Sequence, residues 1–331
     1  MSKPFKKLFF LIFLFSNFAL SQVVEVRDTI LMGSRFKITI EEENTASANL
    51  KIDRIISEIV RIENLISDWI PNSQVSRINE NAGIKPVKVD KEVFDLTKRA
   101  VYFSEISNGA FDISVAALEK VYDYKEGWMD EFPDEKIIQK SISKVGYQNI
   151  ILDEKNQTVF LKFKGMKIGF GSTGKGYAAQ KARSFAQAIG VQSGIIDASG
   201  DISTWSSNSN WKIGIHNPFR PKNPIDILKL KNAAVTTSGN YEKFLMIGGK
   251  RYSHIINPKT GIPAEGLTSV TVLGPDAEFA NGLSTTMMVL GKKNGLRFIQ
   301  NFPDYASLMI TDAGKVIRSK NYRKLKKSLA R

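Results

Sequence analysis

Gly169-Phe170-Gly171-Ser172-Thr173-Gly174-Lys175-Gly176 places four glycines in eight residues, directly ahead of a run that reads as a helix from Gly174 to Ala188 with Gly190 as its stop. Residues 167–170 read as the end of a strand, and Ile195-Ile196 restart one, so the region is a strand, glycine loop, helix and strand in succession. Such a junction calls for an α/β architecture. It also lets backbone N–H groups and a helix dipole come close to a phosphate. The literal G-x-G-x-x-G pattern, with Asp197 lying 23 residues beyond Gly174, mimics a dinucleotide-binding fingerprint. A P-loop fails on chemistry, because Gly176 stands where Ser or Thr must meet magnesium. A purely structural role, tight packing of helix on strand, also fits these glycines.

The chain around this unit supplies a matching set of elements. Val23 to Ile40 alternates about the turn Met32-Gly33-Ser34 and predicts a hairpin. Leu50, Ile52, Ile55, Ile56, Ile59, Ile62 and Leu65 recur at helical spacing and predict a helix over Ala46 to Ile66. Further helices are expected over Lys91 to Ser107, ended by Asn108-Gly109, and over Phe279 to Leu290, closed by Gly291. Trp211 to Val289 is otherwise rich in strands, with turns at Asn217-Pro218, Gly248-Gly249 and Asn257-Pro258. No Ser/Gly-rich linker or fixed-period repeat divides the 331 residues, and 42% apolar composition suffices for a large core.

The absence of cysteine excludes disulfides, thiolate metal sites, cysteine nucleophiles and a lipid-modified N-terminal cysteine, and with only His216 and His254 any metal site must rest mainly on oxygen. Lys3, Lys6 and Lys7 precede the apolar run Leu8 to Phe15, and Ala19-Leu20-Ser21 follows, which has the form of a secretory signal peptide over residues 1–21. The run is too short for the roughly 20 residues of a membrane span. The expectation is an exported, periplasmic protein, soluble after processing, with no lipid anchor and no transmembrane segment. Much of the formal charge of +14 lies in those lysines and in seven basic residues from Arg318 to Arg331, read as a solvated tail. No arginine- and aromatic-rich stretch points to nucleic acid.

Taken singly, the remaining motifs are weak. Asp112 in Gly109-Ala110-Phe111-Asp112 has the look of a cap, and Trp69 lies in a polar turn outside any apolar periodicity. His254, among hydroxyls before the turn at Asn257-Pro258, could be a base or merely a structural histidine.

In their order along the chain, these segments resemble the FAD:protein FMN transferase family, also called the ApbE or thiamine-biosynthesis lipoprotein family. Met32-Gly33-Ser34 is similar to the family's Met-Gly-Thr strand. Trp69 with the run from Pro71 to Asn79 is similar to an aromatic followed by PxSxxSRxN. Residues 109–112 match GAFD, 175–178 match KGYA, 199–201 resemble GGD, 237–239 match TSG, and 254–261 resemble HIxDPxTG. The resemblance implies a mixed α/β (α+β) single domain over 22–317, two-lobed and T-fold-related, followed by a basic tail over 318–331.

It also implies transfer of FMN from FAD to a Thr or Ser hydroxyl of a partner flavoprotein, with release of AMP and use of Mg²⁺. The implied base is His254. The implied FAD-binding residues are Met32, Trp69, Ala110, Phe111, Asp112, Gly169 and Lys175, and the implied metal ligands are Ser172, Asn281 and Thr285. Three positions depart from the family pattern, each losing a carboxylate: Gly169 at the head of the glycine loop, Asn257 in the histidine motif and Asn281 in the metal helix. The alternatives are a weakened FAD-binding protein, or a hydrolase that splits FAD to FMN and AMP.

Overall fold

The computed structural model describes residues 22–330 except 119, 120, 123, 125, 208, 209 and 242. The expected signal peptide over 1–21 lies outside the described residues. The chain opens with β1 (Val23–Leu31) and β2 (Ser34–Glu42), an antiparallel hairpin in which Leu31 faces Ser34 across Met32-Gly33, both at positive φ (51° and 65°). Helix α1 (Thr45–Ile66) follows, capped by the Asn44 side chain, which accepts from the Ser47 N–H at 2.9 Å. Next come α2 (Gln74–Glu80), capped by Ser73, then β3 (Val87–Lys88) and α3 (Lys91–Ile106).

The middle of the chain holds β4 (Trp128–Met129), α4 (Glu135–Ile142), β5 (Ile150–Asp153) and β6 (Thr158–Leu161). The glycine loop then leads into α5 (Gly174–Ala188), β7 (Ser193–Ala198) and β8 (Asp201–Trp205). Strands β9 (Trp211–Ile215), β10 (Asp226–Leu230), β11 (Ala233–Gly239), β12 (Phe244–Ile247), β13 (Lys250–Ser253) and β14 (Leu267–Gly274) fill the strand-rich region. The chain ends with α6 (Ala277–Phe298), β15 (Ala306–Thr311), β16 (Val316–Arg318) and α7 (Tyr322–Ser328).

Eight strands form one sheet in the order β1-β2-β7-β8-β11-β14-β15-β16, and every neighbouring pair in it is antiparallel. A dinucleotide-binding sheet is parallel, so the fingerprint around Asp197 belongs to a different fold. One face carries α1 over β1 and β2, α5 over β7 and β8, and α6 over β11 and β14. The main core lies between, with Ile52, Ile55, Ile59 and Ile62 of α1 wholly buried against Phe36, Ile38 and Ile40. The β9–β10 hairpin and α7 cover the opposite face of β8, β11, β14 and β15, where Ile213, Leu228, Leu230, Leu308 and Tyr322 make a second core. Strand β14 is buried along all eight residues because both faces are covered. A third cluster, of Leu118, Tyr122, Ile138, Leu245 and Ile247, sits under β4, β12, β13 and α4.

Three expectations change. Residues 167–170 join no ladder and form no strand. The basic end is not simply solvated, since Arg318 closes β16 and α7 buries Tyr322 while Arg323 and Lys324 face water. Gly291, with φ of 69°, does interrupt the last long helix, but helical chain resumes after it and runs to Phe298. Among the described residues no helix is long and apolar enough to cross a membrane.

Candidate functional site

The glycine loop is held by bonds that replace the expected strand. Ile168 donates its N–H to Asn79 Oδ1 (2.8 Å), Asn79 Nδ2 donates to the Ile168 carbonyl (2.9 Å), and Gly169 donates to the Ile113 carbonyl (3.0 Å). A turn closes when the Gly174 N–H reaches the Phe170 carbonyl at 2.6 Å. Thr173, at the cap position of α5, gives no side-chain cap, and its buried hydroxyl has no hydrogen-bond partner. The helix therefore begins without the oxygen that usually satisfies its first-turn N–H groups, a setting suited to an anion.

Gly176 brings α6 onto this turn. A Cβ built there would lie 2.5 Å from the Ala277 carbonyl oxygen and 2.7 Å from Asn281 Cβ, so only glycine permits the contact. The two helices cross with Thr285 Oγ1 3.4 Å from the Ser172 carbonyl and 3.1 Å from Ser238 Oγ. Ser238 Oγ is also 2.8 Å from Ser284 Oγ, which donates to the Asn281 carbonyl at 3.0 Å. Ser172 and Thr285 are thus brought together, with Asn281 one turn earlier on α6 and Ser238 added from β11.

Every oxygen in that group is neutral, and among the described residues no three of His, Cys, Asp and Glu cluster as ligands. Magnesium prefers charged oxygen and keeps several waters. The donor set fits an ion shared with substrate phosphates and does not fit a tightly held resident ion.

His254 Nδ1 lies 2.8 Å from the Lys243 carbonyl. A carbonyl only accepts, so Nδ1 carries the proton and Nε2 the lone pair. Burial, reinforced by the Lys243 and Lys175 cations and opposed by that hydrogen bond, pushes the imidazole pKa down to about 4. Lys175 Nζ in turn is 3.2 Å from Asp201 Oδ2, a carboxylate only 1% exposed at the head of β8. The Ser199-Gly200 turn, at φ of 52° and 88°, sets that position, and Gly200 donates to Asp197 Oδ1 at 2.8 Å. Burial raises the Asp197 carboxyl, against the pull of Lys37, Lys175 and Arg35.

The other expected residues line the approach unequally. Met32 Cε comes within 3.5 Å of the Cβ position of Gly174, which ties the first hairpin to the helix start. Trp69 is 65% exposed, its N–H on Ser67 Oγ at 3.3 Å. Phe111, by contrast, is 1% exposed against Phe103. The Asp112 carboxylate accepts from the Ser114 N–H (2.8 Å) and hydroxyl (2.6 Å) and from the Tyr147 N–H (2.8 Å). Burial nevertheless raises its pKa. Ala110, Phe111 and Asp112 are all buried, at 5%, 1% and 5% exposure, and the bonds of Asp112 fix the shape of this loop. Lys259, five residues after His254, places its Cε 3.6 Å from the Cβ position of Gly109, so the histidine segment closes over the loop. Asp201 and Ser238 lie in the segments 199–201 and 237–239, whose pattern gives neither residue a role. Their signal is burial beside Lys175 and Thr285, which spacing along the chain does not carry.

Comparison with known proteins places these features in a family. The ApbE family model matches residues 32–309. A Klebsiella pneumoniae protein described as an FAD:protein FMN transferase is 30% identical over 293 residues, covering 88% of this chain and 90% of its own. A Treponema pallidum protein of the same description is 26% identical over 303 residues, covering 86% and 83%. The crystal structure of the ApbE protein from Thermotoga maritima superposes with a TM-score of 0.84 at 30% identity, over 92% of this chain and 99% of that one.

Proposed function

The chain belongs to the ApbE family and is an FAD:protein FMN transferase, and we propose that it attaches FMN from FAD to a Thr or Ser hydroxyl of a partner flavoprotein, releasing AMP. The observation that carries the residue-level reading is the convergence of a basic nitrogen, a lysine and an uncapped helix start at one place.

In this reading FAD lies with a ring against Trp69 and its diphosphate over the first turn of α5, where backbone N–H groups and Lys175 meet its charge. His254 Nε2 takes the proton of the acceptor hydroxyl, whose oxygen forms a bond to the phosphorus of the FMN half. The bond from that phosphorus to the AMP oxygen breaks, and AMP leaves. The Lys243 carbonyl holds the ring in the tautomer that makes Nε2 the acceptor. Ser172, Asn281 and Thr285 would hold a magnesium ion together with the FAD phosphates, and the ion's chemistry is to offset charge at the phosphate oxygens. Export to the periplasm by residues 1–21 is part of the same reading, and would place the enzyme beside acceptors on that side of a membrane.

The test is incubation of the purified protein with FAD, Mg²⁺ and an acceptor domain bearing a flavinylation threonine, followed by mass spectrometry. Covalent FMN on the acceptor with free AMP supports the reading. Free FMN with AMP, or unchanged FAD, overturns it.

A further inference from the structure

Position 169 does not need glycine for its backbone, since it is absent from the residues at positive φ. Its neighbours give another reason. A Cβ built at Gly169 would lie 3.1 Å from Asp68 Oδ2 and 3.3 Å from Asp68 Cγ, with Ala116 Cβ at 3.2 Å. The space that a side chain on residue 169 would enter is already taken by a carboxylate that arrives from the other side. The end of α1 sets its place, because Ser67 donates to the Glu63 carbonyl at 2.9 Å and receives the Trp69 N–H on its hydroxyl at 3.3 Å. Asp68 therefore stands between an exposed indole and the head of the glycine loop.

We propose that Asp68 is a specificity residue of the FAD site, its carboxylate accepting a hydrogen bond from an N–H or O–H of the flavin half. The inference rests on the transferase reading. A carboxylate repels phosphate, so it is unsuited to the diphosphate that the helix start attracts. It suits the uncharged part of the nucleotide, whose ring imide and ribityl chain both donate. The carboxylate lost at 169 relative to the resembled pattern is then supplied from a different backbone position, and Gly169 is small because Asp68 fills its space.

The experiment compares the parent with Asp68→Asn, Gly169→Asp and the swap Asp68→Ser/Gly169→Asp, measuring dissociation constants for FAD, FMN and ADP beside melting temperatures. Asp68→Asn should weaken FAD and FMN about tenfold, as loss of a charge-assisted hydrogen bond does, and leave ADP unchanged. Gly169→Asp alone should also weaken FAD, because two carboxylates would crowd one space. The swap should return FAD affinity to within about threefold of the parent. Unchanged FAD affinity in Asp68→Asn, an equal loss for ADP, or no recovery in a swap protein that melts like the parent would overturn the proposal; where the swap melts lower, Asp68→Asn decides. A parent that binds FAD but transfers nothing would sink the transferase reading and leave this one standing.

Discussion

His254 illustrates how a backbone carbonyl can settle the chemistry of a side chain. With Nδ1–H committed to Lys243, Nε2 is a base over the whole range in which the ring is neutral. His254→Ala should leave FAD binding largely intact and slow transfer on the order of 10²–10⁴-fold, read by pairing flavin fluorescence titration with the mass-spectrometric assay. Equal losses in both would make the histidine structural. The same residue sets a pH dependence of stability. Its folded pKa is about 4, against an ordinary value of 6.5, so between those values the unfolded chain binds more protons than the folded one. This contribution is complete above pH of about 6.5 and is lost as pH falls toward 4. The parent's urea midpoint should accordingly drop between pH 7 and pH 5 by more than that of His254→Gln. An equal drop in the two proteins would show that the imidazole is not held neutral by the fold. At this scale His254 and Lys175 were legible because their motifs are local. Asp68 was not, because a turn residue beside Trp69 gives no sign that it will meet Gly169 from a hundred positions away.

The contact of α5 with α6 joins the glycine loop to the hydroxyl cluster. Gly176→Ala would put a methyl 2.5 Å from the Ala277 carbonyl, and forcing the helices apart should cost about 1–3 kcal/mol of stability. The same displacement should raise the Mg²⁺ concentration for half-maximal transfer, since Ser172 and Thr285 lie on opposite sides of the crossing. A variant with lower melting temperature and unchanged metal dependence would uncouple the two. Within α6, Asn281→Asp should lower the Mg²⁺ requirement by restoring a charged oxygen, and Thr285→Ala should raise it. A titration moved by neither change would place the ion elsewhere. Element boundaries followed periodicity well: α1 begins one residue before its expected start, and α5 has its expected limits. The strand expected at 167–170 shows the opposite case, since Ile168 and Phe170 are buried like strand residues while the backbone of Ile168 bonds to Asn79, that of Gly169 to Ile113, and the Phe170 carbonyl accepts from Gly174, contacts that no local pattern announces.

On the scale of the molecule, the eight-stranded sheet has two unequal coverings. Helices lie over most of one face, but the β9–β10 hairpin and α7 cover the other from Ile195 of β7 to Val316 of β16, leaving Val24, Val26 and Ile30 of β1 exposed. The end of the chain is part of that second covering. Tyr322 is 1% exposed, and its hydroxyl donates to Asp226 Oδ2 at 2.9 Å, while Lys326 pairs with the same carboxylate. Tyr322→Ala should cost about 3 kcal/mol or more in urea unfolding, whereas Lys324→Ala, on the wet side, should cost almost nothing. Equal small effects would show the helix to be dispensable. The spacing of Tyr322, Leu325 and Leu329 carried this signal, but the surrounding charges hid it. Met32 comes from the first turn of the chain and Thr285 from its last long helix, yet both meet α5 at its start. A ribosome making this protein from its N-terminus releases the hairpin, the glycine loop and His254 before α6 emerges, so a nascent or prematurely terminated chain has the glycine loop without the α6 hydroxyls that lie against it.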